Sequence, residues 1–336
     1  MDHAAPFQNG SMHQLPTYTV PYVIYAELFA DLVAVCLNSS FLFLLRKPFF
    51  HLNLRLLMTN FSTFLILLTL SRMFIVVNSL ASFLSDLVGH IFGIVHNVAI
   101  YVILNSSIAM ASERLLATIL AEKYERFRGV WISILLVIVS WAVNGFLSSY
   151  VYSMMSKEHK TFPGWLTHSR EYDKVVIVMT CVLLVNFCGL IIFLLIGRYN
   201  KKRWKGLLQQ KLSHRYQVVE NIRTARQLLV VLLAAFAVSL FFYAAFTYIL
   251  VSGHRSTLTS VLVQTFDLLF ALLAILLPCL LVRTHPRMWA SAKHFILREK
   301  VHTSSRGDVI RVPRKSTSVV MQETNMYFCE LQKVWK

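Results

Sequence analysis

Seven apolar stretches limit this chain to one kind of architecture. They run at Tyr22–Leu45, Leu56–Asn78, Ile91–Ala111, Val130–Tyr152, Val175–Gly197, Gln227–Val251 and Leu258–Val282. Each has 21 to 25 residues, and a helix needs about 20 to cross the hydrocarbon core. In lipid the backbone must satisfy its own hydrogen bonds, which leaves helices or closed barrels. Barrel strands would be about ten residues of alternating polarity, and no such pattern is present. The expectation is an all-α membrane protein, a seven-transmembrane helix bundle over residues 22–282. A tail, 1–21, precedes it and another, 283–336, follows. An odd number of spans places the two tails on opposite sides.

Charge decides which side is which. The chain is 56% hydrophobic and 15% charged, with a mean hydropathy of +0.59, and the spans leave no room for a second globular domain. A net charge of +17 would ordinarily raise nucleic acid as a partner. The basic residues are not spread that way. Of the 33 Lys and Arg, 27 lie in 46–55, 112–129, 198–226 and the C-terminal tail, and five lie in the segments of the other side. By the positive-inside rule the first group is cytoplasmic. The N-terminus is then extracellular, and the basic excess serves topology and anionic lipid rather than DNA. Residues 1–21 contain no Lys or Arg, so the positive region of a cleavable signal is missing and the first span is expected to act as its own anchor. Asn9-Gly10-Ser11 is a glycosylation sequon on the outer side. The five cysteines lie in spans or in the tail, so no extracellular disulfide is expected.

Ionisable residues inside spans are costly and are candidates for function. At the helical rise of about 1.5 Å per residue, Glu27 lies about 8 Å below the outer surface, Arg72 about 9 Å, and Asp31 and Asp267 about 14 Å. Glu27 and Asp31 share a helix face. If helices one, two and seven are neighbours, Arg72 pairs with one of these carboxylates. The third span carries a polar stripe of His90, Asn97, Tyr101 and Asn105, whose spacing turns it toward the bundle interior. With Tyr243, Tyr248, Gln264 and Asp267, the residues His90, Asn97 and Tyr101 form the expected wall of a small-molecule site. Hydrogen bonding between helices is the simpler use of any one of these groups.

At the other end of the third span stands Glu113-Arg114. Arg114 and Glu220, before the sixth span, are placed to form a cross-helix pair that opens on activation. Leu207–Arg226 is expected to continue the sixth helix by several turns, and 287–298 to form an amphipathic helix on the inner membrane surface. Enzyme motifs such as His-Glu-x-x-His, Gly-x-Ser-x-Gly or a phosphate-binding loop are missing, and so is any Cys/His metal set. No catalysis, metal or cofactor is expected.

Leu212-Ser213-His214-Arg215-Tyr216-Gln217-Val218-Val219-Glu220-Asn221 resembles a signature before the sixth helix of nematode serpentine chemoreceptors of the Sra superfamily. Glu113-Arg114-Leu115-Leu116-Ala117-Thr118 with Tyr124-Glu125, His51 to Arg55, and His285-Pro286 resemble that group in the same order along the chain. Class AB is nearest, with classes A, B and E also open. The resemblance implies a G-protein-coupled receptor for small chemicals at the plasma membrane, in sensory cilia. It puts Glu113, Arg114, Arg215, Tyr216, Glu220 and Asn221 at the end that faces a heterotrimeric G protein. The chain departs from rhodopsin-like receptors: no Tyr follows Glu113-Arg114, the sixth span has no Pro, and the seventh lacks Asn-Pro-x-x-Tyr. Without the resemblance, a seven-span channel with its N-terminus inside, or a transporter, remains open.

Overall fold

Each apolar stretch becomes a helix. The computed structural model describes residues 21–81, 85–119, 130–153, 172–206, 212–252 and 257–302. Along them run α1 (Pro21–Leu45), α2 (Leu52–Ala81), α3 (Asp86–Ile119), α4 (Trp131–Ser153), α5 (Tyr172–Gly206), α6 (Leu212–Ser252), α7 (Thr257–Thr284) and α8 (Pro286–His302). Seven of these, α1 to α7, are long and apolar enough to cross a membrane, and no strand occurs among the described residues. α6 begins at Leu212, well before its apolar stretch, as the polar run ahead of it predicts; residues 207–211 of that run lie outside the described residues. Residues 1–20, with Asn9, lie outside the described residues.

The helices close into a ring. α1 packs on α2 and α7, α2 on α3, α3 on α5, α5 on α6, and α6 on α7. α3 also touches α4 and α6, and α2 touches α4 and α7. The neighbourhood of helices one, two and seven, on which the Arg72 pairing depends, is therefore present.

Burial runs opposite to that of a water-soluble protein. Large apolar side chains such as Phe29, Trp131, Leu135 and Phe146 are exposed, while Glu27, Asp31, Arg72, Asn38 and Glu113 are buried. A soluble fold rarely exposes so much apolar surface. A bundle facing lipid needs this arrangement. The core itself is apolar, with Phe41, Leu54, Met58, Leu65, Phe193, Leu228 and Leu277 almost wholly enclosed. Polar groups fasten the helices across it. Asn38 on α1 donates to the Ala274 carbonyl of α7 at 2.9 Å and accepts from Ser62 of α2 at 3.1 Å. Ser107 of α3 donates to Asn186 of α5 at 2.7 Å. Beside that bond Gly189 lets the two helices close, since a Cβ there would stand 3.3 Å from Ser107 Oγ.

α7 and α8 are separated by one residue. Pro286 cannot continue α7 without losing a backbone bond, but it suits the first position of a new helix. His285 caps that helix: Met288 N–H donates to its Nδ1 at 3.2 Å. The ring of His285 is buried against Phe49 and Phe50 of the α1–α2 connection. Lys47 donates to Ser291 at 2.7 Å. The expected helix at 287–298 is present; the side chains of Phe295 and Ile296 lie outside the described residues. Residues Lys293–Lys336 form a second compact unit, of which the last part of α8 is the described portion.

Candidate functional site

The charged residues of the spans converge. Arg72 on α2 joins Glu27 of α1 through Nε, at 2.5 Å, and Asp267 of α7 through Nη2, at 2.8 Å. Glu27, Asp31, Arg72 and Asp267 are each at most 3% exposed. One guanidinium thus ties three helices together. Such a cluster must offset the loss of water around its charges: Nε hydrogen-bonds Glu27, while Asp267 is held by charge, both its oxygens being buried without a hydrogen-bond partner.

Asp31 belongs to the same cluster but is held differently. It stands one turn after Glu27, and the charges of Glu27, Arg72 and Asp267 all act on it. Its Oδ2 is buried without a hydrogen-bond partner.

His96 of α3 completes the group. Its Nε2 lies 4.0 Å from Asp267 Oδ1, and its Nδ1 faces the Leu68 carbonyl of α2 at 3.3 Å and Ser71 Oγ at 3.5 Å. The stripe read from the sequence passed over this residue and chose its neighbour Asn97. The signal was available: a histidine in the middle of a span is as costly as the carboxylates. The stripe itself is partly as expected. Asn97, Tyr101 and Asn105 are buried and His90 is half-buried. Asn105 donates to Asn144 of α4 at 2.6 Å, which is the helix-fastening use. On α6, Tyr243 is half-buried and Tyr248 is 45% exposed. The side chain of Gln264 lies outside the described residues.

A second constellation sits at the far end of α3, about 27 Å from His96 by the helical rise. Arg114 grips its own neighbour Glu113 with two bonds, Nε to Oε2 and Nη2 to Oε1, both 2.5 Å. Its Nη1 reaches Asn221 Oδ1 of α6 at 3.4 Å. Glu113 is fully enclosed and Arg114 is 4% exposed. The expected partner Glu220, with Arg215 and Tyr216, has its side chain outside the described residues. Near this end Asn200 of α5 donates to Thr118 of α3 at 3.2 Å, and Gln227 of α6 donates to the Thr284 carbonyl of α7 at 2.7 Å. Two helices, α5 and α6, therefore meet α3 or α7 at this end through three polar contacts. His285 lies outside the spans. Its imidazole is pushed from the ordinary 6.5 down to about 4, first by burial and then by the nearby Arg223 and Arg287. A neutral ring is what the cap requires, because Nδ1 must accept.

These features define a helical membrane protein with a charge-closed core at one end and a polar, arginine-centred junction at the other. The chain matches the Sre G protein-coupled chemoreceptor family over residues 87–336. It belongs to that family, a serpentine receptor family of chemoreceptors and not of enzymes. The match extends from α3 through the C-terminal tail and so takes in both sides of the Arg114 junction. It is a match to Sre, and it supplies neither class AB nor the Sra superfamily as a whole. No curated protein matches the chain in sequence.

Proposed function

We propose that the chain binds a small molecule between helices in the half of the bundle that holds Arg72, and passes the event to a heterotrimeric G protein at the Arg114 end. The family match over 87–336 carries this reading. The geometry supports it by giving α3 a part in both sites: His96 touches Asp267, and Arg114 touches Asn221. A ligand that binds one helix arrangement better than another shifts the balance between them. A shift of α3 against α7 at the first site moves Arg114 against α6 at the second. The resting contact is the Arg114 bridge to Glu113 and Asn221, with Glu220 nearby in sequence. Activation parts it and frees the ends of α3 and α6.

The Lys/Arg asymmetry supports an extracellular N-terminus, with α8 lying on the cytoplasmic leaflet and Asn9 available for glycosylation. Placement within the Sra superfamily, and in sensory cilia of the plasma membrane, rests on the Leu212–Asn221 and Glu113–Thr118 motifs.

The test is nucleotide exchange. The receptor is reconstituted in lipid with G-protein heterotrimers, and GDP release is measured for the wild type and for Asn221→Ala. Receptor-dependent release, raised by the substitution, is the expected result. If neither protein accelerates release from any heterotrimer class, the reading fails. An N-terminal tag hidden from antibody on intact cells would refute the orientation and favour the channel.

A further inference from the structure

The buried cluster holds one guanidinium and three carboxylates. Arg72 engages two of them, Glu27 and Asp267. Asp31 is the surplus acid: 2% exposed, with Oδ2 buried and without a hydrogen-bond partner. Its surroundings make that expensive. Glu27 stands one turn before it, and Asp267 adds a second like charge against the single attraction of Arg72. A buried carboxylate without a counter-charge is strongly unfavourable, so the site favours any positive group that can reach it.

A bare metal ion is a poor match. Among the described residues no group of three or more His, Cys, Asp or Glu is gathered tightly enough to hold one. An organic cation asks for less: one carboxylate for its charge and apolar walls for its body. The surroundings of the cluster are apolar: Val76, Ile100 and Phe270, each about one turn from Arg72, His96 and Asp267, are all buried.

We propose that the ligand is a small organic cation, an amine protonated at neutral pH, and that the Asp31 carboxylate pairs with its ammonium group. This rests on the reading that ligand binds within the Arg72 half of the bundle. It adds the ligand's charge and the residue that selects it. Asp31 is outside the Arg72 bridge, so an incoming cation takes it up without dismantling the contacts that hold α1, α2 and α7 together.

The experiment uses the full chain in lipid nanodiscs and follows its thermal midpoint. The probes are n-alkylamines from propylamine to octylamine with benzylamine and phenethylamine. Each is paired with the alcohol of the same skeleton, and a matched carboxylate series is run beside them. The expected result is a rise in midpoint with one or more amines and none with the paired alcohols. Asp31→Asn weakens the apparent affinity for that amine by about thirtyfold or more, and Asp31→Glu keeps the response. Asp31→Asn replaces a buried acid by a neutral group of the same shape, so the free variant is about as stable as the wild type. The proposal is overturned if no amine shifts the midpoint, or if the shift survives Asp31→Asn undiminished. A shift by alcohols or carboxylates alone overturns the cation and leaves a ligand site in the bundle standing. GDP release reports on the G-protein end independently.

Discussion

Arg72→Met removes the charge and keeps the length of the side chain. It leaves Glu27 and Asp267 buried with neither in contact with the guanidinium that now lies 2.5 and 2.8 Å away. Removing one partner of a buried ion pair costs about 3–5 kcal/mol. Here one substitution strips two carboxylates, so the upper part of that range applies. Protonation of the stranded acids caps the loss. In a protein of this size each kcal/mol moves the midpoint by roughly 2–4 °C, which gives a fall of about 10 °C or more. Intrinsic tryptophan fluorescence in nanodiscs measures it. The informative comparison is Arg72→Met with Glu27→Gln and Asp267→Asn. Replacing all the charges removes the desolvation cost together with the attraction and is often neutral, so the triple variant recovers most of the lost stability. If Arg72→Met melts with the wild type, or if the triple variant melts as low as the single one, the cluster does not hold the bundle as argued.

Three further outcomes follow from the geometry. Asn221→Ala deletes the 3.4 Å contact with Arg114; a partly exposed bond of that length is worth at most about 1.4 kcal/mol, so basal GDP release rises by no more than about tenfold. Gly189→Val pushes α3 and α5 apart at the Ser107–Asn186 bond and lowers stability by about 1–3 kcal/mol, readable as a lower midpoint. For His285 the folded protein holds the ring neutral to about pH 4 while the unfolded chain takes up a proton below about 6.5. The unfolded state thus binds more protons inside that window, and stability is complete above it and falls as pH drops through it. The wild type loses up to about 2 kcal/mol between pH 7 and 5 relative to His285→Asn, which keeps a capping side chain but does not titrate.

The spans were legible because bilayer thickness sets a length that few other constraints imitate. The Arg72 cluster was legible too, since depth along antiparallel helices can be counted from the sequence. His96 was not found because periodicity selects one face, and α3 is packed on several sides. Its Asn97 and His96 both meet protein, in different directions. The partner of Arg114 was harder. Adjacent residues on a helix do not normally face each other, so nothing in the spacing pointed to Glu113; the side chain of Glu220, the expected partner, lies outside the described residues. The His285-Pro286 pair was seen as a motif, but its capping role depends on the connection between α1 and α2 folding over it.

The three-helix bridge also orders the birth of the molecule. Glu27 and Arg72 are 45 residues apart, so α1 and α2 can enter the bilayer as a hairpin with that one pair already formed. Asp267 comes 195 residues after Arg72. At about 5–20 residues per second, the ribosome needs roughly 10–40 s to deliver it. During that interval the hairpin has a guanidinium only half satisfied, and α7 arrives carrying a lone acid into the hydrocarbon. Closure of the ring is therefore the last step of biogenesis, and the seventh helix is drawn to its place by a charge that has been waiting since the second.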